Sequence, residues 1–147
     1  MRYLVVARHG EFNEGKSRLN DRGREQVRVL AEKLAGYEIG KVFSAMGPRS
    51  QESAGMVGRA LDVAVHAQHC FGHADNEQDE TDSFSEALAL VRTQREGVLI
   101  VTKNEWAKHF IPFVANELLG TFQQNPIELE RGEGVVFDSK EKQTKLL

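Results

Sequence analysis

Short apolar runs recur along the chain and are separated by longer segments in which apolar residues follow a helical spacing. The clearest run is 98–102, similar runs lie at 2–7 and 41–44, and a shorter one lies at 63–65. A continuous apolar run of this length that is rich in β-branched residues is typical of a buried strand. These four runs are therefore predicted to form strands of a central sheet.

Helical spacing marks the segments between the runs. Val27, Leu30 and Leu34, for example, repeat at the three- to four-residue interval of one helix face. Asn20 is a suitable N-cap for that helix, and Asn104 is a suitable N-cap for a helix in the second half of the chain. The four predicted helices cover about 20–36, 49–61, 82–95 and 104–119.

Strands that alternate with helices predict one α/β domain, a three-layer α/β/α sandwich with a mostly parallel sheet. Its core is expected to cover 1–138, and the charged tail 139–147 is expected to fray. Residues 127–129 and 134–137 are expected to close the sheet as an antiparallel pair. The polar stretch 66–81 has no apolar period, and we interpret it as a long excursion from the core.

The charge of the chain is spread unevenly along its length. The net charge of −3 argues against general affinity for nucleic acid. Residues 1–60 carry a net charge of +4, whereas residues 61–96 carry −6. The basic first part of the chain therefore suits an anionic ligand.

Cysteine content and hydropathy indicate in which cellular compartment the protein is expected. Cys70 is the only cysteine, so an intrachain disulfide is excluded and a reducing compartment is the default expectation. The N-terminus lacks the pattern of a signal peptide. No apolar run approaches the ~20 residues that span a bilayer. We therefore predict a cytoplasmic protein with no membrane partner.

Polar residues follow the predicted strand ends in three places. Arg8 and His9 come directly after the first strand, Arg49 follows the second, and Lys103 with Asn104 follows 98–102. Ligands of α/β sheets bind beyond the carboxyl ends of the strands, so these side chains are expected to converge. Arginine forks and helix N-termini bind phosphate oxygens, and a neutral imidazole beside them can attack phosphorus. This layout requires no metal and no other cofactor.

Three ordered motifs then resemble one family. Residues 8–11, Arg-His-Gly-Glu, resemble an Arg-His-Gly signature, and 19–26 resemble Leu-Thr-x-x-Gly-x-x-Gln. Residues 43–54 resemble Ser-Ser-Pro-x-x-Arg-x-x-Gln-Thr-Ala. Together they resemble the histidine phosphatase (phosphoglycerate mutase-like) superfamily, closely over 2–61 and more loosely over 97–138. Length makes the chain most similar to the small bacterial phosphohistidine phosphatases.

The resemblance implies roles for individual residues. His9 would be the nucleophile that becomes phosphorylated, and Arg8 and Arg49 would clamp the phosphoryl group. From their position after the strand 98–102, Lys103 and Asn104 are expected to add to the phosphate site. The family has a second histidine where this chain has Lys103. Lysine keeps a positive charge but loses the flat shape and fixed N–H direction of imidazole. Since loss of one oxyanion donor typically costs ~10²–10³ in rate, reduced activity is expected.

The acid–base partner of His9 is left open by the sequence. Glu77 and Glu80 are candidates for protonating the leaving group, although acidic runs are usually solvated surface. Glu11 is a further candidate acid or base, and it is also placed to orient its neighbours.

A metal site in the excursion is the weaker interpretation of its histidines. They lie with one aspartate in the stretch 66–81, which lacks a tight ligand pattern, so a solvated loop is preferred. The residues concerned are His66, His69, His73 and Asp75.

Two hypotheses follow for the function. The first is a phosphatase that hydrolyses phosphohistidine or a small phosphomonoester through phospho-His9. The alternative is a catalytically degenerate module that binds phosphate or a phosphoprotein. A phosphoglycerate mutase is disfavoured, because 147 residues leave little room for the insertions that hold an intermediate. The partner expected in either case is a phosphorylated small molecule or phosphoprotein, and the sequence does not predict an oligomeric state.

Overall fold

The computed structural model describes residues 1–72, 76–121 and 125–147. The strands are β1 (Tyr3–Arg8), β2 (Ile39–Ser44), β3 (Val65–Ala67), β4 (Gly97–Thr102), β5 (Gly134–Asp138) and β6 (Gln143–Leu146). The helices are α1 (Asp21–Leu34), α2 (Pro48–Leu61), α3 (Glu77–Arg92) and α4 (Asn104–Leu119), and short 3₁₀ turns cover Ala35–Tyr37 and His69–Phe71. None of the described helices is long and apolar enough to cross a membrane.

The six strands form one sheet in the order β3-β2-β4-β1-β5-β6. β1 pairs in parallel with β4, and β2 pairs in parallel with both β4 and β3. β5 runs antiparallel to β1, and β6 runs antiparallel to β5. The predicted mostly parallel sheet is therefore confirmed, and the carboxyl ends of β1, β2 and β4 meet at one edge.

Apolar cores on both faces of the sheet confirm the predicted three layers. On one face, α1 and α2 pack against β1, β2 and β4, and their buried side chains include Val27, Leu30, Ala54 and Val57. On the other face, α3 and α4 bury a cluster of aromatic rings: Phe84, Trp106 and Phe110. Each face of the sheet is thus shielded from water by two helices.

Two element boundaries differ from the prediction for local reasons. α3 begins five residues early, because Asn76 caps it by accepting a hydrogen bond from the Asp79 amide at 2.9 Å. Its first turn is polar, so apolar periodicity does not reveal it. β3 begins two residues late, because the Val63 amide still donates to the Gly58 carbonyl at the end of α2.

The C-terminal pairing also differs from the prediction. The segment around Ile127–Leu129 is not a strand; its amides donate to the Lys108 carbonyl and the Asn104 side chain on α4. β5 pairs instead with β6, so the tail expected to fray forms a strand. All four β6 side chains are exposed, so backbone pairing holds this strand without any apolar alternation to signal it.

Candidate active site

A cavity of about 300 Å³ opens beyond the carboxyl ends of β1, β2 and β4. Three predicted site residues that are far apart in the sequence, His9, Arg49 and Lys103, line it together. The other lining residues are Ala45, Met46, Gly47, Pro48, Ser50, His69 and Gly72. The strand order therefore produces the convergence that the parallel sheet predicts.

His9 is buried in the cavity wall, with 7% of its surface exposed. Its Nδ1 lies 2.9 Å from the Gly10 carbonyl oxygen. Because a carbonyl oxygen only accepts, Nδ1 carries the proton and Nε2 of the neutral ring keeps its lone pair. Burial lowers the pKa of His9 and the nearby Arg8 and Arg49 charges lower it further, against an opposing contribution from the Gly10 carbonyl. His9 is therefore neutral at neutral pH and has an unprotonated ring nitrogen.

The backbone around His9 is fixed by close contacts that admit only small residues. The Gly10 amide donates to Ser53 Oγ at 3.1 Å, and the His9 amide donates to the Thr102 carbonyl at 3.1 Å. A β-carbon on Gly10 would lie 2.5 Å from the Gly23 carbonyl oxygen, and one on Gly23 would overlap Glu11. The β1 turn thus packs directly on α1, which explains why the sequence motifs carry these glycines.

Arg49 is held beside His9 by an aromatic ring and a carbonyl group. Its guanidinium carbon lies 3.4 Å from the centroid of the Phe12 ring, and that ring lies 5.5 Å from the His9 ring. Its Nε and Nη2 donate to the Lys16 carbonyl at 3.0 and 2.7 Å. A cation stacked on an aromatic face is attracted by the ring quadrupole, so Phe12 orients this arginine.

Arg8 flanks the site and is not among the described residues that line the cavity. Its Nη1 donates to the Leu129 carbonyl at 2.9 Å, and its buried Nε has no hydrogen-bond partner within the described part of the chain. Burial lowers the pKa of Arg8, and Arg131 nearby lowers it further. Arg8 therefore contributes its charge to His9 from beside the cavity.

Lys103 and Asn104 take different positions although they are adjacent. Lys103 is exposed, lines the cavity and occupies the N-cap position of α4, which the sequence assigned to Asn104. The Asn104 amide group donates to Glu128 at 2.6 Å, and its oxygen accepts from the Leu129 amide at 3.2 Å. The Asn104 side chain thus holds the segment that receives Arg8, whereas only Lys103 lines the cavity.

The three candidate acid–base carboxylates lie apart from the cavity. Glu11 accepts a hydrogen bond from Asn20 at 3.1 Å and pairs with Arg22 at 3.5 Å. Glu77 and Glu80 lie in the first turn of α3. None of the three is among the described lining residues.

The sequence considered His69 only as a ligand of a disfavoured metal site, and it did not single out Arg131. In the structure His69 lines the cavity and Arg131 contacts the Phe12 ring. His69 begins the 3₁₀ turn that forms part of the cavity wall, and the predicted excursion gave no periodicity that would place it. The guanidinium of Arg131 lies 4.9 Å from the Phe12 ring. Its turn is joined to β1, because the Gly132 amide donates to the Arg8 and His9 carbonyls. These contacts are long-range, and no local pattern marks them.

Cys70 and His66 are not among the described residues that line the cavity. Burial raises the pKa of Cys70 to about 11, so this thiol stays protonated. His66 on β3 lies 3.4 Å from the Lys41 ammonium. His73 and Asp75 lie outside the described residues. Across the part of the chain that the structure describes, no group of three or more metal-ligating side chains occurs.

Comparison with known families agrees with this geometry. Residues 4–96 match the model of the histidine phosphatase superfamily, branch 1. The chain belongs to this superfamily. No curated protein matches the sequence at a significant level. The family match includes His9 and Arg49 and ends before Lys103.

Several solved structures share the fold over nearly the whole chain. The protein histidine phosphatase SixA complexed with tungstate has 15% identity and a TM-score of 0.70, covering 99% of this chain and 94% of its own. A mycobacterial glucosyl-3-phosphoglycerate phosphatase complexed with VO3 has 15% identity and a TM-score of 0.69, covering 99% and 97%. The phosphoglycerate mutase of Plasmodium falciparum has 14% identity and a TM-score of 0.61, covering 99% and 87%. At these identities the likeness establishes a common fold.

Proposed function

We propose that this protein is a phosphatase that hydrolyses a phosphoryl group through a covalent phosphohistidine on His9. One observation carries the proposal: the Nδ1 hydrogen bond to the Gly10 carbonyl leaves Nε2 as the unprotonated nitrogen of a buried residue that lines the cavity. A histidine held only for packing has no need of a fixed tautomer beside two cationic side chains in the same cavity.

The surrounding cations support charge stabilisation during transfer. Nε2 of His9 attacks phosphorus, and the Arg49 guanidinium and Lys103 ammonium compensate the charge on the phosphoryl oxygens. Arg8 adds a third positive charge from beside the cavity. Water then attacks the phosphohistidine, releases phosphate and returns His9 to its neutral form. No step in this sequence requires a metal ion.

The substrate we propose is phosphohistidine or a small phosphomonoester. Two neighbours in fold support these classes: SixA is a protein histidine phosphatase, and the mycobacterial enzyme acts on glucosyl-3-phosphoglycerate. Because the exposed ammonium of Lys103 has no fixed N–H direction, we expect a lower turnover rate than in an enzyme with imidazole at this position. A buried, unpaired Cys70 is compatible with the cytoplasm as the compartment.

The exposed ammonium of Lys103 in the cavity also favours one alternative function, a module that binds phosphate or a phosphoprotein without turnover. A flexible cation still attracts a bound phosphate, even if it does not position the phosphoryl group well for reaction. The two functions share the cavity and differ only in whether His9 becomes phosphorylated.

Hydrolysis and phosphoenzyme trapping separate the two functions. We expect wild-type protein to hydrolyse p-nitrophenyl phosphate and to yield an acid-labile phosphoenzyme. His9→Ala is expected to abolish both, with a rate loss of at least about 10⁴-fold. Lys103→His is expected to raise kcat by up to about 10²-fold, since it restores a fixed donor.

The remaining outcomes distinguish the alternatives. An inert wild type that binds vanadate saturably, with activity appearing only in Lys103→His, would establish the binding module. If neither wild type nor either variant binds vanadate, both functions are wrong.

The protonation state of His9 offers an independent check. Because burial lowers its pKa, the ring stays neutral and nucleophilic until the pH falls below the ordinary histidine value of about 6.5. An NMR titration of the His9 ring, assigned by comparison with His9→Asn, is expected to give a midpoint below that value. A midpoint above it would contradict a neutral nucleophile.

A further inference from the structure

We infer that His69 donates the proton to the leaving group, and that the substrates are phosphomonoesters whose leaving group is an alcohol. The inference rests on the proposed function, because it takes His9 as the nucleophile. It narrows the substrate class, since an alkoxide is a poor leaving group that needs a proton in the transition state.

The two histidines of the cavity lie at different depths. His9 is 7% exposed, whereas His69 is an exposed residue of the same cavity wall. In phosphoryl transfer the attacking and leaving atoms lie roughly in line on opposite sides of phosphorus. A phosphoryl group attacked from the buried side therefore directs its leaving group toward the open side of the cavity, and His69 is the exposed histidine among the described lining residues.

Buried hydrogen bonds fix the turn that carries His69. Ser83 Oγ donates to the Cys70 carbonyl at 2.6 Å and accepts from Trp106 Nε1 at 2.9 Å. The Thr102 hydroxyl donates to the Phe71 carbonyl, which joins the turn to the end of β4. This exposed histidine is thus attached to a backbone held by three buried side chains, as a catalytic group requires.

Close packing extends to the end of the same turn. A β-carbon on Gly72 would lie 2.7 Å from the Ala45 side chain and 3.3 Å from Thr102 Oγ1. The turn is therefore pressed against the loop after β2, which also lines the cavity. The spacing between His69 and the phosphate-binding residues is set by packing of the core.

The chemistry of the other lining groups favours His69 as the donor. Imidazole is the side chain that exchanges protons most readily near neutral pH. The carboxylates of Glu11, Glu77 and Glu80 are not among the described lining residues. Lys103 also lines the cavity, but a lysine ammonium is a compact, strongly hydrated charge that suits phosphate binding.

The proton is returned within each turnover. In the first step a bond forms between His9 Nε2 and phosphorus, the ester P–O bond breaks, and the His69 imidazolium transfers its proton to the departing oxygen. An alcohol leaves and His69 becomes neutral. In the second step water attacks phosphorus, the P–N bond breaks, and His69 takes the proton from the water. Phosphate and the starting protonation states result.

A series of phosphomonoesters that differ in leaving-group basicity tests this role. The kcat/KM of the protein is measured for p-nitrophenyl, phenyl and simple alkyl phosphates. His69→Asn is expected to reduce alkyl phosphate hydrolysis by about 10²–10³-fold and p-nitrophenyl phosphate hydrolysis by less than about threefold. The matched control is His66→Asn, an exposed histidine on β3 that is not in the cavity wall, and it is expected to change neither rate.

Other patterns overturn the inference in distinguishable ways. An equal loss on every ester in His69→Asn would mean that His69 acts in binding or folding, while the proposed function stands. An alkyl-selective loss in Lys103→Met, absent from His69→Asn, would make Lys103 the donor. A wild type inert toward p-nitrophenyl phosphate as well as alkyl phosphates would contradict the proposed function and the inference together.

Discussion

Two walls of the cavity are built in contrasting ways. The wall that carries the proposed nucleophile, called here the nucleophile wall, consists of His9 and the residues that support it from behind, Gly10, Gly23 and Ser53, which are not among the described lining residues. A β-carbon on Gly10 or Gly23 would collide with a neighbouring backbone. The β4 wall consists of Lys103, whose side chain is exposed at the start of α4. Residue identity in the first wall is set by the space between backbones. In the second wall the fold determines where a positive charge lies, but it does not restrict which residue type carries that charge.

This difference matches the extent of the family resemblance. The family model matches 4–96, which includes the whole nucleophile wall, and ends before Lys103. Backbone contacts leave few residue types acceptable at Gly10 and Gly23, and both glycines lie in the segments that resemble the family motifs. An exposed side chain at a helix start meets no such restriction. The comparison therefore predicts that substitutions in the first wall cost stability, whereas those in the second cost ligand affinity.

The largest effect, a loss of folding stability, is expected from Gly23→Ala. The added β-carbon would overlap the Glu11 backbone, and the backbones cannot separate without moving the His9 turn. Overpacking against backbone is expected to lower the free energy of unfolding by about 3 kcal/mol. Urea denaturation followed by circular dichroism measures the change.

Gly36→Ala is the matched control for that substitution. No atom lies within 4 Å of a β-carbon at Gly36, so its free energy of unfolding is expected to stay the same or rise slightly. If Gly23→Ala is as stable as Gly36→Ala, the nucleophile wall is not restricted by backbone contact. The contrast between the walls would then be wrong.

The sequence predicted the nucleophile wall because its signals are local. Arg8-His9-Gly10 follows a strand directly, and Asn20 caps α1 as expected by accepting from the Gly23 amide at 2.8 Å. The parallel sheet then brings Arg49 to His9 without further information. Fold class, layer order and three of the lining residues thus follow from periodicity and strand ends.

Contacts between distant segments could not be predicted in the same way. The turn that carries His69 is fixed by hydrogen bonds from two elements, α3 and β4, and Arg131 reaches Phe12 across more than half the chain. Asn104 was misassigned as a cap because its side chain bonds to Glu128 and Leu129 instead. Each of these contacts depends on tertiary packing, so the spacing of residues within one segment cannot predict it.

A smaller effect is expected from Lys103→Met. Methionine keeps the unbranched shape and removes the charge, so vanadate is expected to bind about tenfold more weakly at low salt. The loss is expected to shrink as ionic strength rises, because the side chain is exposed and screened. Isothermal titration with vanadate at two salt concentrations measures the loss of affinity and its dependence on ionic strength.

Lys145→Met is the control for charge removal. Lys145 lies exposed on β6, at the far edge of the sheet from β2, and its loss is expected to leave vanadate affinity unchanged. Equal weakening in the two variants would mean that net charge alone governs binding. A measurable loss of stability in Lys103→Met would instead show that the β4 wall is as tightly built as the other.

The smallest effect on vanadate binding is expected at Arg131, which is not among the described lining residues and contacts the Phe12 ring. Its guanidinium shares the Phe12 ring with Arg49, and a cation–aromatic contact at such a site contributes about 0.5–1 kcal/mol. Arg131→Gln is therefore expected to weaken vanadate binding about two- to five-fold. Arg131→Lys keeps the charge without the planar stacking group, so titration of both variants separates the two contributions. Full affinity in the lysine variant would assign the effect to charge. Full affinity in both would remove Arg131 from the site and leave Phe12 to orient Arg49 alone.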